Sequence, residues 1–300
     1  MNKWLLVILV LVGLYIIGSV IAIFAFGEKA SFSDKIAVVP IEGEITSFSS
    51  SGGFLGGGGF SSSDIVKQIE DLDKDDSVKG IIFEINSPGG EVVASQEIAD
   101  AVKKLNKTNY AVIREVGASG AYWIASASDK IIASPMSITG SIGVYGSYLE
   151  FSGLFEKYGV GYERLVSGKY KDVGVPYRGL TNEEKNILQK KLDMVHEFFV
   201  GDVANNRNMS IEDVRKVATG EFYLGQEAKG LGLVDELGNK DDAIELMKKE
   251  LGLTSIEVKE ERKENSFFDI LLGNVAFQFG RGFGSAVVNY QLNNRFDIRA

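Results

Sequence analysis

The sequence predicts an α/β domain with a largely parallel sheet, preceded by one N-terminal transmembrane helix. Three observations carry this expectation. Residues 4–26 run without a charge and are mostly Leu, Val and Ile. From residue 65 onward, strand-type runs alternate with amphipathic helical segments, the pattern of strands joined by crossover helices. Two successive strand ends then break into turns, Asn86-Ser87-Pro88-Gly89-Gly90 and Gly117-Ala118-Ser119-Gly120, at the end of the sheet where such folds gather catalytic groups.

The apolar run of 23 residues is long enough to cross a bilayer as a helix. A cleaved signal peptide would have an apolar core of roughly 7 to 15 residues ending at a small-x-small site, which Phe24 and Phe26 fit poorly. A retained anchor over residues 1–27 is therefore expected. Lys3 precedes the span, whereas Glu28, Lys29, Asp34 and Lys35 after it cancel, which orients the N-terminus inside and the body on the extracytoplasmic side of a cell membrane.

The body, residues 28–258, opens with a strand at 36–41. A Ser/Gly-rich flexible loop follows at 46–64. Its glycines lead into no Gly-Lys-Ser/Thr and open no helix, so a phosphate cradle is set aside. Next come a helix at 65–72, a strand at 80–85, a helix at 91–105 and a strand at 111–116. After Ser119 a further helix starts, and strands are expected at 130–133, 142–145 and 162–166. Thr181 and Glu184 form a capping box that opens a long helix, with Leu188, Leu192, Val195 and Phe199 as its apolar face. Ser210 and Asp213 start another. Residues 259–300 read as a charged linker and an apolar tail, which Asp269 and Arg281 keep from being a second span.

With 300 residues, 45% of them hydrophobic, the chain holds one sizeable core plus appendages. Its net charge of -9, without a basic patch, argues against nucleic acid as a partner. There is no cysteine and a single histidine, which removes thiol catalysis, disulfides and Cys/His zinc sites. No metal or cofactor is implied. Catalysis has to come from Ser, Lys, Asp, Glu, Tyr or the backbone.

Gly89 and Gly90 allow a turn that exposes N–H groups able to stabilise an oxyanion. Ser119, between a strand and a helix and flanked by small residues, has the setting of an accessible nucleophile. Ordinary βα turns use the same residue types. A nucleophilic serine needs a base. His196 shares a helix face with Gln189, Asp193 and Glu197, opposite the apolar stripe, and reads as a solvated surface histidine. A lysine remains, basic only when neutral, and the informative lysines lie in Ser167-Gly168-Lys169-Tyr170-Lys171-Asp172-Val173-Gly174.

These motifs, together with Thr139-Gly140-Ser141-Ile142-Gly143-Val144 and Gly230-Leu231-Gly232-Leu233-Val234-Asp235, resemble in order and spacing the signal peptide peptidase A family of Ser-Lys peptidases. The resemblance covers residues 33–250 and the anchor. It implies a Clp/crotonase-like spiral of ββα units, with Ser119 as nucleophile and Lys171 as general base. It further implies Ser141 as the residue orienting the lysine, and the N–H groups of Gly90 and Gly120 as the oxyanion hole. Lys169 is the competing lysine; the Lys-Asp pair makes Lys171 the better match. The implied substrates are short hydrophobic peptides such as remnant signal peptides.

Longer family members carry two copies of the domain, the serine in one half and the lysine in the other. A single copy implies a homo-oligomeric ring with sites shared between protomers. Stomatin-operon-type membrane Ser-Lys proteases are the nearest alternative. A crotonase-like acyl-CoA enzyme and an inactive membrane scaffold are the alternatives from other classes. A Clp proteolytic subunit needs a histidine soon after the serine, and residues 120–160 contain none.

Overall fold

The computed structural model describes residues 12, 13, 18, 34–47, 60–254 and 256–261. Of the expected anchor only Val12, Gly13 and Gly18 are included, all helical, so the span itself lies outside the described residues. No helix among the described residues is long and apolar enough to cross a membrane. Most of the Ser/Gly-rich loop and the tail beyond 261 also lie outside them.

The chain enters through β1 (Lys35–Glu42), then β2 (Ile45–Thr46) and β3 (Phe60–Ser61), which pair with each other. Next come α1 (Ser62–Lys74), β4 (Val78–Ser87), α2 (Val92–Lys103), β5 (Thr108–Ala118), α3 (Gly120–Ser126), β6 (Lys130–Ala133) and β7 (Ile138–Gly140). The remainder holds α4 (Ser152–Lys157), α5 (Asn182–Asn206), α6 (Ile211–Val217), β8 (Phe222–Leu224), α7 (Gly225–Gly230), β9 (Glu236–Leu237), α8 (Lys240–Leu251) and β10 (Glu257–Glu260).

The main sheet runs β10-β1-β4-β5-β6-β9, every pair parallel. Covered on both faces, its central strands are apolar almost without interruption, as parallel strands must be. Ala37, Val39, Ile41, Phe83, Ile85 and Ile113 face α1, α2 and α3. Ile36, Val38, Ile82, Tyr110, Val112 and Ile132 face Ala243 and Met247 of α8. Gly80 of β4 makes this second layer fit, because a Cβ there would overlap Met247 Sδ. Among the helices, α3 is buried along its whole length, which fixes whatever sits at its start.

Several expected elements are displaced. The strand expected at 142–145 is irregular, and the strand of that region is β7, which pairs in parallel with β5 and antiparallel with β8. Gly140, at φ +74°, ends β7 and turns the chain out of the sheet. Residues 162–166 have no strand partner and are exposed rather than extended in a sheet. The capping box is as expected: Glu184 N–H donates to Thr181 Oγ1 at 3.2 Å, and Thr181 N–H donates to Glu184 Oε2 at 2.8 Å. Only the C-terminal half of α5 packs on the body, through Phe199, Val200, Val203 and Ala204. Of the stripe expected to be its apolar face, Leu188 is exposed and Leu192 and Val195 are half-buried, because the helices α5 packs against, α3 and α6, cover chiefly its C-terminal part. The charged run beginning at 259 forms the end of β10, an edge position that tolerates charge.

Candidate active site

The two glycine-containing turns meet at the C-terminal ends of β4 and β5. In the first, Gly89 sits at φ +101° and its N–H donates to Ser87 Oγ at 3.1 Å. Ile45 N–H donates to Gly89 O at 2.9 Å and Glu91 N–H donates to Ile45 O at 2.8 Å. This is a one-residue parallel bridge between Ile45 and Gly90, so the N–H and C=O of Gly90 itself turn away from β2. A Cβ on Gly90 would overlap Ile45 O, which requires glycine there.

In the second turn Ser119 has φ 55° and ψ -125°, a conformation that non-glycine residues rarely adopt. Its N–H donates to Gly140 O at 2.8 Å, and its carbonyl accepts the first helical bond of α3, from Trp123 N–H at 3.0 Å. The sharp strand-to-helix passage leaves the side chain half-buried at the cleft rather than in the core. Gly120 begins α3, where an N–H has no partner within the helix. A Cβ placed on Gly120 would overlap Ser95 Oγ and come within 3.4 Å of Gly90 N, and one on Gly89 would come within 2.8 Å of Gly120 N. Gly90, Ser119 and Gly120 are thus brought together, with two backbone amides beside one hydroxyl. Such a group can hold a carbonyl carbon against the hydroxyl and its oxygen against the amides.

The cleft around them is mixed in character, with Val92, Trp123, Val144, Tyr145 and Phe199 as apolar walls beside the polar groups of Ser95, Ser119 and the glycine backbones. Trp123 and Phe199 stack with centroids 4.5 Å apart and planes 9° from parallel, a pairing worth about 0.5–1.5 kcal/mol beyond its burial. Trp123 Nε1 donates to Asp202 at 3.0 Å, which fixes the indole. Ser95, Val92, Trp123 and Tyr145 carry no signal of their own in the sequence; Val144 closes the Thr139–Val144 motif, and the aromatic at 199 is legible only as part of a helical stripe. The Gly230–Asp235 motif supports the site from behind. Tyr122 of α3 donates its hydroxyl to Leu233 O at 2.9 Å, and Asp235 is forked by Arg207 while accepting from Ile131 N–H at 2.7 Å.

The other expected residues stand apart. Ser141 lies at φ 50°, one residue beyond the carbonyl that takes the Ser119 amide, and its hydroxyl donates to Gly220 O at 3.4 Å. Lys171 is exposed, in a turn closed by its own N–H donating to Gly168 O at 3.1 Å. It does not line the Ser119 cleft. Lys169 Nζ is engaged by Glu183 Oε2 at 2.6 Å, and the Glu183 hydrogen bond, with that of Tyr170, holds its pKa well above the ordinary lysine value. His196 departs from the solvated surface residue expected: it is half-buried, and its Nε2 is buried without a hydrogen-bond partner among the described residues. Gln189, Asp193 and Glu197 on the same face are exposed as expected, so the partial covering is local to His196.

A parallel α/β sheet whose strand ends present a serine elbow beside paired amides in a cleft defines a serine-type endopeptidase of the Clp-like class. The model of peptidase family S49 matches residues 101–254, and that of Clp protease matches residues 59–138. A candidate protease of Methanocaldococcus jannaschii, MJ0651, is 38% identical over 78% of this chain and 76% of its own length. A candidate signal peptide peptidase SppA of Enterococcus faecium is 36% identical over 82% of this chain and 73% of its own. Protease 4 of Haemophilus influenzae is 34% identical over 72% of this chain, which corresponds to 35% of that protein. The chain belongs to peptidase family S49, the signal peptide peptidase A family of serine proteases.

Proposed function

We propose that the protein cleaves short hydrophobic peptides, remnant signal peptides among them, through a Ser119 acyl-enzyme with Lys171 as general base. The observation that carries the reading is the Ser119 elbow: a hydroxyl at φ 55° with the Gly90 and Gly120 amides beside it. Ser119 Oγ attacks the scissile carbonyl while the neutral Lys171 amine takes its proton. The oxyanion is held by Gly90 N–H and Gly120 N–H. The Lys171 ammonium then gives the proton to the departing amine. In deacylation the amine takes a proton from water, the hydroxide equivalent attacks the ester, and Ser119 recovers its hydrogen from the ammonium. Ser141 orients the lysine. The apolar walls of the cleft suit apolar side chains.

Residues 1–27 act as a single-pass anchor with the peptidase body, 28–258, on the extracytoplasmic side, and 259–300 form an appended tail. The body follows the Clp/crotonase-like spiral. The exposed position of Lys171 favours a homo-oligomeric ring in which the lysine enters a neighbour's cleft. Supporting this, residues 145–170 present large apolar side chains to solvent, with Tyr145 88% and Leu165 94% exposed, more than a lone surface chain usually shows.

Labelling with a fluorophosphonate tests the chemistry. Wild-type protein should be modified at Ser119 and lose turnover. Ser119→Ala should bind no probe and lose peptide hydrolysis by a factor on the order of 10⁴ or more while keeping its melting temperature. Turnover surviving in that variant would remove Ser119 from the reaction.

A further inference from the structure

The turn that carries Lys171 is gripped by an ionic lattice. Arg164 forks onto Asp172, Nε to Oδ2 at 2.6 Å and Nη2 to Oδ1 at 2.7 Å, and Arg178 Nε adds a bond to Oδ2 at 3.1 Å. Arg178 in turn forks onto Glu184 at 2.9 and 2.6 Å, so the turn is tied to the capped start of α5. Arg164 Nη2 also reaches Lys169 O at 3.2 Å, which fixes the backbone ahead of Lys171 as Asp172 fixes it behind. The Asp172 and Glu184 side chains are 9% and 5% exposed. Fork geometry of this kind is among the strongest ionic hydrogen bonding a protein makes.

On the other flank, Glu183 is occupied by Lys169 and by the Tyr170 hydroxyl. Three carboxylates therefore adjoin the turn, Asp172, Glu183 and Glu184, and each is engaged by another group. Lys171 alone among the turn's charged side chains has no hydrogen-bond or ion-pair partner among the described residues. Its neighbour in sequence is a carboxylate. Left free, Asp172 could pair with the Lys171 ammonium, and such a pair holds the proton on the amine, the opposite of what a base requires.

We propose that Arg164, Asp172, Arg178 and Glu184 are positioning residues for the base: they fix the 167–174 turn and occupy the adjacent carboxylates, leaving the Lys171 amine unpaired and able to enter a cleft. This rests on Lys171 being the base. Full-length protein in detergent micelles, hydrolysing a fluorogenic apolar peptide, provides the test through kcat and KM measured against pH. The comparison includes Lys171→Ala, Arg164→Gln, Arg164→Lys and the double variant Arg164→Gln/Asp172→Asn.

Arg164→Gln frees Asp172 Oδ1 while Arg178 still holds Oδ2, and with that oxygen open to the Lys171 ammonium the alkaline limb of the profile should move up by about one pH unit. At a fixed pH on that limb kcat should fall about tenfold, in step with the neutral fraction of the lysine, and KM should stay within about twofold. Removing that carboxylate in the double variant should return the limb to its wild-type position, and Arg164→Lys should shift it less than Arg164→Gln. An unmoved limb in Arg164→Gln, with activity lost only in proportion to a lowered melting temperature and Lys171→Ala inactive, overturns the positioning role and leaves the base intact. Full turnover in Lys171→Ala overturns the base and the positioning role together.

Discussion

Ser119 and Gly140 are joined by a 2.8 Å hydrogen bond from the serine amide to the glycine carbonyl. It continues the β5–β7 pairing, in which Ala118 faces Gly140, and the Thr139 hydroxyl reinforces it by donating to Gly117 O at 2.8 Å. A left-handed serine costs on the order of 1–3 kcal/mol unless its surroundings over-determine it. The short strand β7 supplies that constraint, which explains why three residues with no hydrophobic period are part of the site.

Gly120→Ala should be far more harmful to catalysis than its single methyl group implies. The new Cβ overlaps Ser95 Oγ and crowds Gly90 N, so the two amides must move apart. The expected loss in kcat is about a hundredfold with little change in KM. Adding Ser95→Ala removes the overlapping oxygen and should recover part of that loss. Equal kcat values for Gly120→Ala and wild type would show that the amide pair does not serve the reaction.

Mixing Ser119→Ala with Lys171→Ala protein should regenerate activity if sites are shared between protomers, because interfaces between opposite variants hold both residues intact. Each variant alone is expected to be inactive. Absence of activity in verified mixed oligomers would place both residues of one site in a single chain.

Hydrolysis should rise toward alkaline pH, since a lysine base acts from its neutral form and starts from a reference pKa of about 10.4. His196→Gln should leave the profile where it is. An activating ionisation near that of histidine, erased by His196→Gln, would reassign the base.

At the acid end the Lys171 turn should loosen in a defined window. Arg178, with the Thr181 amide, lowers the Glu184 pKa from 4.5 to about 2, and Arg164 with Arg178 lowers that of Asp172. Both folded values lie below the unfolded ones. Their contribution is therefore complete above about pH 4.5 and is lost as pH falls toward 2. Hydrogen exchange across residues 164–184, measured at pH 5.5 and pH 3, should show faster exchange at the lower value after correction for intrinsic rates, ahead of β4 and β5. Equal protection at both would mean the lattice does not hold the turn.

Local signals were the legible ones. The Thr181–Glu184 box is a four-residue pattern and forms as written. The strands at 36–41, 80–85 and 130–133 are apolar runs bounded by turns, and they appear in place. β7 and β8 could not be read, since three-residue strands draw their stability from partners at residues 116–118 and 222–224 rather than from their own period. The Lys-Asp pair already favours Lys171 over Lys169 in the sequence, and the fold adds a reason that the sequence does not carry, since Glu183 claims Lys169. Arg164, Asp172 and Arg178 obey no spacing rule, so their lattice was invisible until the turn was folded. The apolar stripe of α5 reads as a full face because periodicity reports amphipathicity, not how much of the helix its neighbours α3 and α6 cover.

The notch that Gly80 leaves for Met247 makes one sulfur atom a gauge of breathing. The chain has no cysteine, so peroxide finds only thioethers as soft targets. Met136 and Met194 are exposed and should oxidise at once, while Met247 is fully enclosed. A sulfoxide oxygen has no room in that notch, so Met247 can react only after α8 lifts from the sheet. The ratio of its oxidation rate to that of Met136 then measures how often the rear layer opens, without a label and in the intact protein.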